Sequence, residues 1–161
     1  MPIVASKIRI NGHVIIDLVN EGRIVRTEYK NLTVNSGYEI LSKMILGTVV
    51  DEDRLAYIAV GTGGHVPGDV NTPVPPSLTD THLEEETSRV GIYLRENPTA
   101  NIIRFRTTID KDSANGDITE AGLFAEGGVM FARVTFSAVN KVSPWYLIVT
   151  WEISLSEGPT S

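Results

Sequence analysis

Cysteine is absent from the sequence of 161 residues. The chain therefore has no disulfide framework, no thiolate metal ligand and no cysteine nucleophile. No apolar run approaches the length of a membrane span, and the N-terminus lacks the basic region and long apolar stretch of a signal peptide. We expect a protein without a membrane span, long enough to bury a hydrophobic core within one domain.

Basic residues are also in deficit, because 14 of them stand against 20 acidic residues and leave a net charge of −6. The imbalance is concentrated in residues 51–99, which contain nine acidic and three basic side chains. An acidic surface repels phosphate, so nucleic acid is not expected as a partner. The simplest interpretation of this stretch is a solvated surface.

The clearest local structure in the sequence is a β-hairpin at residues 118–136. Its loop contains Gly127 and Gly128, which supply the positive φ angles of a tight reversal. In the second arm, Met130, Ala132, Val134 and Phe136 share one face, and Arg133 and Thr135 share the other. This alternation predicts a strand with one buried and one solvated face. Glu120 and Arg133 are the candidate structural polar pair of the solvated face, or alternatively an inter-subunit contact.

Alternating patterns predict further strands at residues 3–10, 24–32, 101–109 and 145–155, and residues 14–19 are a strand candidate. Residues 55–60 predict a short, buried and central strand, because both of its faces are apolar. Turns are expected at Asn11-Gly12 and Asn20-Glu21-Gly22, which would make the N-terminal quarter a β-meander. The last strand should be a core strand, central to its sheet, because large apolar side chains share one of its faces. These are Trp145, Leu147, Val149, Trp151, Ile153 and Leu155.

Helical patterns are few. A capping box formed by Ser36 and Glu39 predicts a short helix that ends at Gly47, with an apolar stripe of Tyr38, Leu41, Met44 and Ile45. A second short helix is predicted within residues 79–90. The sequence as a whole predicts a mainly β protein, an antiparallel β-sandwich-like domain over residues 1–161 with one or two short helices. It also predicts a long exposed Pro/Gly-rich loop at 61–77 and a short flexible C-terminal tail at 156–161.

No arrangement of residues in the sequence predicts catalysis. GTGG at 61–64 is followed by His65-Val66-Pro67, not by the Lys-Ser/Thr and helix of a phosphate-binding loop. The polar loop at 110–118 has the wrong spacing of Gly and Glu for an EF-hand. The histidines at 13, 65 and 82 lack ligand spacing, and the consecutive glutamates 84–86 point in different directions. We therefore assign no catalytic, cofactor-binding or metal-binding residue.

Five segments follow one another in a recognisable order: NLTVNSGYEILSKMI, YIAVGTGG, a proline-rich loop, SLTDTHLEEETSRV and DITEAGLFAEGGVMFARVTF. Together with the aromatic closing strand they resemble a family of small virion proteins of tailed bacteriophages, over roughly residues 20–155. The most specific parts are VGTG at 60–63, Asp80-Thr81-x-Leu83 with Arg89, and Glu120–Phe124 with Arg133. Members are described as tail, collar, baseplate or tail-fibre-associated proteins, and these motifs are structural in them.

The resemblance implies a non-enzymatic virion structural protein, made in the host cytoplasm and assembled in multiple copies on the tail or neck. Its expected partners are copies of itself in a symmetric ring and other phage tail or neck proteins. The candidate subunit-contact residues lie in the long loop: Val66, Pro67, Asp69, Val70, Pro73, Pro75 and Pro76. The alternative is a host-surface glycan-binding module of the tail tip that uses an aromatic residue such as Tyr93 or Tyr146. A small hydrolase or metal enzyme is a distant third.

Overall fold

The structure is a computed structural model that describes residues 7–158, so the expected features at residues 3–6 and 159–161 lie outside the described residues. It is mainly β, with one α-helix and a 3-10 turn at Asp51–Asp53. The elements are β1 (Ile8–Asn20), β2 (Arg23–Thr33), α1 (Asn35–Leu46), β3 (Leu55–Gly61), β4 (His65–Val66), β5 (Asp69–Pro73), β6 (Glu86–Gly91), β7 (Leu94–Thr99), β8 (Ile102–Ile109), β9 (Gly116–Ala125), β10 (Met130–Lys141) and β11 (Tyr146–Glu157).

Nine strands form one curled antiparallel sheet in the order β6-β3-β9-β10-β2-β1-β11-β8-β7. β2 pairs with β1 over most of its length but with β10 only at Leu32 and Thr33, and here the sheet folds over. The two edge strands, β6 and β7, follow each other in the chain. Between them the Ile92 amide donates to the Ala56 carbonyl at 2.9 Å, and the Tyr93 amide donates to the Arg106 carbonyl at 3.1 Å. The predicted antiparallel, sandwich-like fold is therefore confirmed, with β2, β1, β11, β8 and β7 in layer A and β6, β3, β9 and β10 in layer B.

The main hydrophobic core lies between the two layers. Layer A contributes the buried face of β11, whose Leu147, Val149, Trp151 and Ile153 belong to this core. β11 lies in the interior of layer A, as predicted. Ala132, Val134 and Phe136 of β10 pack into the same cluster from layer B. The faces predicted for these two strands are thus confirmed at these positions, whereas Trp145 precedes β11 and is only half-buried.

Layer B is buried on its outer face as well. A second cluster of five buried side chains lies there: Val34, Ala59, Leu83, Phe124 and Met130. Met130 belongs to this cluster because a register shift between Met130 and Ala132 turns it away from the main core. The predicted solvated face of the hairpin was therefore wrong. The chain between β3 and β6 folds back over this face and excludes water from it.

α1 begins without the predicted capping box. Val34 is its N-cap and no side chain caps the helix, because the Ser36 hydroxyl donates to the Met130 carbonyl at 2.6 Å. The buried residues of α1 are Gly37 and Ile40. Of the predicted apolar stripe, Leu41 packs against the main core, whereas the prediction was wrong for Tyr38, Met44 and Ile45, which are exposed. A Cβ on Gly37 would collide with the Phe131 carbonyl, which explains a glycine inside a helix. The helix ends at Gly47 with a positive φ of 74°, as its sequence predicts.

Other sequence predictions fail where local patterns compete with tertiary contacts. Asn11-Gly12 is not a turn but lies within β1, where the missing side chain of Gly12 makes room for that of Asn31. The N-terminal quarter is consequently one long hairpin, turning at Glu21-Gly22. The helix predicted within residues 79–90 is absent, and β6 occupies its C-terminal part. The flexible tail predicted from residue 156 was wrong at its first two residues, because β11 continues through Glu157.

The outer face of layer A carries a row of charges. Lys30, His13, Glu152, Arg104 and Glu96 lie directly opposite one another on five neighbouring strands. Arg104 donates to Glu152 at 2.8 Å and to Glu96 at 2.7 Å. Such a row is typical of a solvated sheet face, where cross-strand pairs of opposite charge stabilise the register. None of the helices among the described residues is long and apolar enough to cross a membrane.

Candidate functional site

The motifs that carry the family resemblance come together on the outer face of layer B. The glycine-rich turn after β3, the Asp80–Leu83 segment, Glu120 on β9 and Arg133 on β10 meet in one cluster, which we call the Glu120 cluster. These segments are separated by up to about 70 residues in the sequence. The cluster therefore holds the long loop against the sheet at the base of the loop.

Glu120 is the centre of this cluster and is completely buried. Its Oε1 accepts hydrogen bonds from the backbone amides of Gly63 at 3.1 Å and Glu85 at 2.8 Å. Its Oε2 accepts from the Glu84 amide at 3.1 Å and from Arg133 Nη2 at 2.7 Å. Both oxygens of the carboxylate are thus engaged, as a buried charge requires. These contacts leave the carboxylate no free lone pair with which to act as a general base.

Arg133 links Glu120 to the segment that precedes β6. Its Nη1 donates to Asp80 Oδ2 at 2.7 Å, and its side chain is nine-tenths buried. Burial disfavours the charged guanidinium, but the hydrogen bonds to Asp80 and Glu120 outweigh it and raise the pKa of Arg133. The two predicted residues, Glu120 and Arg133, are therefore in contact but lie beneath covering chain, not on a solvated face.

Gly61 and Gly63 are required at the end of β3 and in the turn that follows it, because neighbouring atoms lie where a Cβ would be. A Cβ on Gly63 would lie 2.6 Å from the Glu84 Cβ and 2.8 Å from Glu120 Oε1. A Cβ on Gly61 would collide with the Glu85 carbonyl. Thr119 adds a further contact, since its hydroxyl donates to the Gly63 carbonyl at 2.6 Å. VGTG is consequently a packing motif against the Glu120 cluster, in agreement with the absence of a phosphate-loop sequence.

The long loop at 61–77 was predicted to hold no packed element, but it contains the small hairpin β4–β5. Pro67-Gly68 forms its turn, with a φ of +79° at Gly68. Among the seven candidate contact residues, Val70 and Pro76 are half-buried. The other five, Val66, Pro67, Asp69, Pro73 and Pro75, are exposed.

Hydrogen bonds tie this hairpin to its own base and to β10. The Val74 amide donates to the Gly64 carbonyl at 2.8 Å, which closes the base of the loop. Thr135 on β10 donates to the Val74 carbonyl at 2.8 Å, and Ser137 donates to Asn71 Oδ1 at 2.8 Å. The loop is therefore a fixed projection from layer B, with an exposed outer side.

His65 occupies a distinctive position at the start of this hairpin. Its Nδ1 lies 2.8 Å from the Val66 carbonyl oxygen and its Nε2 lies 3.0 Å from the Thr62 carbonyl oxygen. A carbonyl oxygen only accepts, so the imidazole satisfies both contacts only when it is doubly protonated. The hydrogen bond to Val66 is the largest cause of a raised pKa, partly opposed by desolvation and aided by Thr62 and the charges of Glu84 and Glu85.

The raised pKa of His65 predicts a pH dependence. Its contribution to the free energy of unfolding should be fully present below the ordinary pKa of 6.5 and should disappear as the pH rises through the raised pKa. In His65→Asn we expect this part of the pH dependence to vanish. Urea unfolding on both sides of the transition measures it, with His82→Asn at an exposed position as the control. If the free energy of unfolding of His65→Asn depended on pH as that of the wild type does, His65 would not be an imidazolium that donates two hydrogen bonds.

The polar loop that resembles a calcium loop encloses an ammonium group. Lys141 is fully buried, and its Nζ donates to the Ser113 carbonyl at 2.7 Å and to Asn115 Oδ1 at 2.8 Å. Burial lowers the pKa of Lys141, while Asp110 and Asp112 oppose this shift. The loop oxygen atoms, which could otherwise attract a metal cation, here accept hydrogen bonds from the ammonium group of Lys141. The loop thus has a structural partner from the end of β10.

The histidines and tyrosines that were considered as metal ligands or binding residues lie at separate places in the structure. Within residues 7–158, no group of three or more His, Asp or Glu side chains is arranged to hold a metal ion. His13 lies in the charge row of layer A, His65 in the hairpin and His82 beside Arg133. Tyr93 is exposed at the corner between β6 and β7, and Tyr146 is half-buried at the start of β11. The structure does not bring these residues together.

Comparison with protein-family models, with curated proteins and with solved structures gave no match.

Two members of these arrangements were missed in the sequence. Asp80 was recognised as part of a motif but not as a partner of Arg133, because the pairing depends on how the segment folds over layer B. Lys141 is the last residue of β10 and belongs to no motif of the sequence, so only its burial reveals its role. No property of the sequence distinguishes it from a solvated lysine.

Proposed function

We propose that the protein is a non-enzymatic virion structural protein of a tailed bacteriophage, assembled in multiple copies on the tail or neck. The observation that carries this proposal is the convergence of the family-like motifs on the Glu120 cluster. Both oxygens of Glu120 and both Nη atoms of Arg133 are engaged in mutual, Asp80 and backbone contacts, which suits a scaffold that fixes a projecting loop. In this proposal the protein serves at a collar, at a baseplate or at a fibre attachment.

The most direct test is the protein content of purified phage particles. We expect mass spectrometry to find the chain in particles in stoichiometric amounts relative to other tail or neck proteins. A phage-encoded protein that acts only inside the host cell serves as the negative control. Absence of the chain from clean particles would rule out the proposed function, and an image of the particle with the chain traced would give its position.

The β4–β5 projection is proposed as a contact with neighbouring copies or with other tail or neck proteins. Deletion of residues 66–76 should spare folding, because it removes no member of either buried cluster. It removes two side-chain hydrogen bonds to β10, so we expect a loss of about 1–2 kcal/mol in the free energy of unfolding. Assembly into particles should be impaired, as measured by incorporation of the variant chain.

A matched control separates the loop from its anchoring. The double variant Thr135→Ala, Ser137→Ala removes the same two hydrogen bonds but keeps the hairpin residues. We expect it to be similarly destabilised and yet to assemble normally. If the deletion variant also assembles normally, the loop is a spacer and not a subunit contact.

A further inference from the structure

The C-terminal end of α1 continues into a run of exposed apolar side chains. Among residues 44–50, Met44, Ile45, Leu46, Val49 and Val50 are all exposed, Ile45 to 82% and Leu46 to 74%. The sequence of this run, MILGTVV, contains no charged residue. We call it the α1 ridge. Single exposed apolar residues are ordinary on protein surfaces, but a contiguous group marks an interaction surface.

An apolar groove lies beside this ridge. It has a volume of about 230 Å³ and is lined only by apolar side chains. Leu41 and Met44 line it from α1, Ile103 and Leu155 from layer A, and Phe131 from layer B. A closed apolar cavity of roughly 150 Å³ can hold a benzene molecule, so this groove has room for the side chain of a Leu or an Ile. Met44 belongs to both the ridge and the groove, so the two features are adjacent.

The size of this surface suits a protein–protein contact. The exposed fractions of the five apolar ridge residues and Tyr38 correspond to a surface on the order of 600 Å². This is the upper end of the size of the largest exposed apolar patch on a typical monomer. A stable interface buries about 800 Å² on each partner, so the ridge and the groove together supply most of one. Because the α1 ridge and the groove contain no charged side chain, they provide no electrostatic complement to nucleic acid or to a charged peptide.

We propose that two copies of the chain associate through this surface, with the α1 ridge of each copy in the groove of the other. A ridge next to a groove is self-complementary about a two-fold axis, so this contact needs no matching patch elsewhere on the molecule. The choice of a second copy as occupant rests on the proposed multi-copy assembly. It adds a contact distinct from the β4–β5 projection, and two distinct contacts are what an assembly of dimers requires.

The test is the association state of the purified chain, measured by sedimentation equilibrium over a range of concentrations. We expect the wild-type chain to dimerise and Ile45→Glu to raise the Kd at least about 100-fold, because the two-fold axis introduces the charge twice. The matched control is Ile24→Glu, since Ile24 is 60% exposed at the β1–β2 turn, away from the ridge. Both positions are exposed, so circular dichroism and unfolding midpoints should be unchanged in both variants.

Each outcome decides the inference. A wild-type chain that stays monomeric at every concentration overturns it, as does a dimer that Ile45→Glu leaves intact or that Ile24→Glu dissociates equally. A wild-type monomer whose groove captures another protein from phage particles overturns it too, while the proposed function stands. A dimer that depends on Ile45 supports it even if the chain is absent from particles, in which case only the proposed function fails.

Discussion

Glu120→Ala is expected to lower the free energy of unfolding by about 3–5 kcal/mol, because it leaves a buried charge without one of its partners. Arg133 would keep only Asp80, and the amides of Gly63, Glu84 and Glu85 would lose their acceptor inside the protein. Each unpaired buried group adds to the penalty. Urea unfolding followed by tryptophan fluorescence measures the change.

Two further substitutions identify the origin of this effect. Glu120→Gln keeps the size of the side chain and an oxygen acceptor but removes the charge, so its effect should lie between those of wild type and alanine. Glu86→Gln breaks the ion pair between Glu86 and Arg89, whose side chains are about one third exposed, and should change stability by less than about 1 kcal/mol. Equal effects of Glu120→Ala and Glu86→Gln would show that the Glu120 cluster is not a stabilising centre.

Trp151→Ala is the second substitution with a large expected effect, a loss of about 3–5 kcal/mol. Trp151 is fully buried between its pairing partners Val14 on β1 and Phe105 on β8, all three in the main core. Alanine would leave a cavity that the surrounding strands cannot close without breaking their pairing. Denaturant unfolding gives the change, and a loss below about 1 kcal/mol would contradict the position of Trp151 in the core.

The other tryptophan is the natural control for this experiment. Trp145 is half-buried outside the strand, and the guanidinium of Arg23 lies 5.3 Å from the centre of its ring. Trp145→Ala should therefore cost clearly less than Trp151→Ala. Trp151→Phe should also cost less, because phenylalanine retains a large ring and the indole N–H of Trp151 has no hydrogen-bond partner to lose.

How far the sequence predicts the structure depends on what each residue touches. β11 and β8 were predicted well, because alternation within one strand already separates its buried face from its solvated face. The prediction of a helix within residues 79–90 was wrong. Leu83 packs on the outer face of layer B, and Glu120 accepts hydrogen bonds from the backbone amides of Glu84 and Glu85. Those contacts come from another part of the chain, and no local pattern contains them.

The Glu120 cluster illustrates the same division. Glu120 and Arg133 lie on one face of a hairpin, so their proximity follows from the sequence alone. Their burial does not, because it arises when the chain between β3 and β6 folds over that face. Similarly, the spacing of Ser36 and Glu39 fits a capping box, but the Met130 carbonyl is the acceptor that Ser36 uses.

The manner in which the loop is held has a consequence for how this protein tolerates change. Glu120 binds backbone amides, and the base of the loop is closed by a bond between the main chains of Val74 and Gly64. This clamp acts on main-chain groups, and the side-chain hydrogen bond that ties residues 66–73 to the sheet is the one between Ser137 and Asn71. Residues 66–73 can therefore diverge, lengthen or be exchanged for a foreign peptide with little disturbance of the sheet. This makes the tip of the β4–β5 hairpin the place on this scaffold best suited to displaying new sequence.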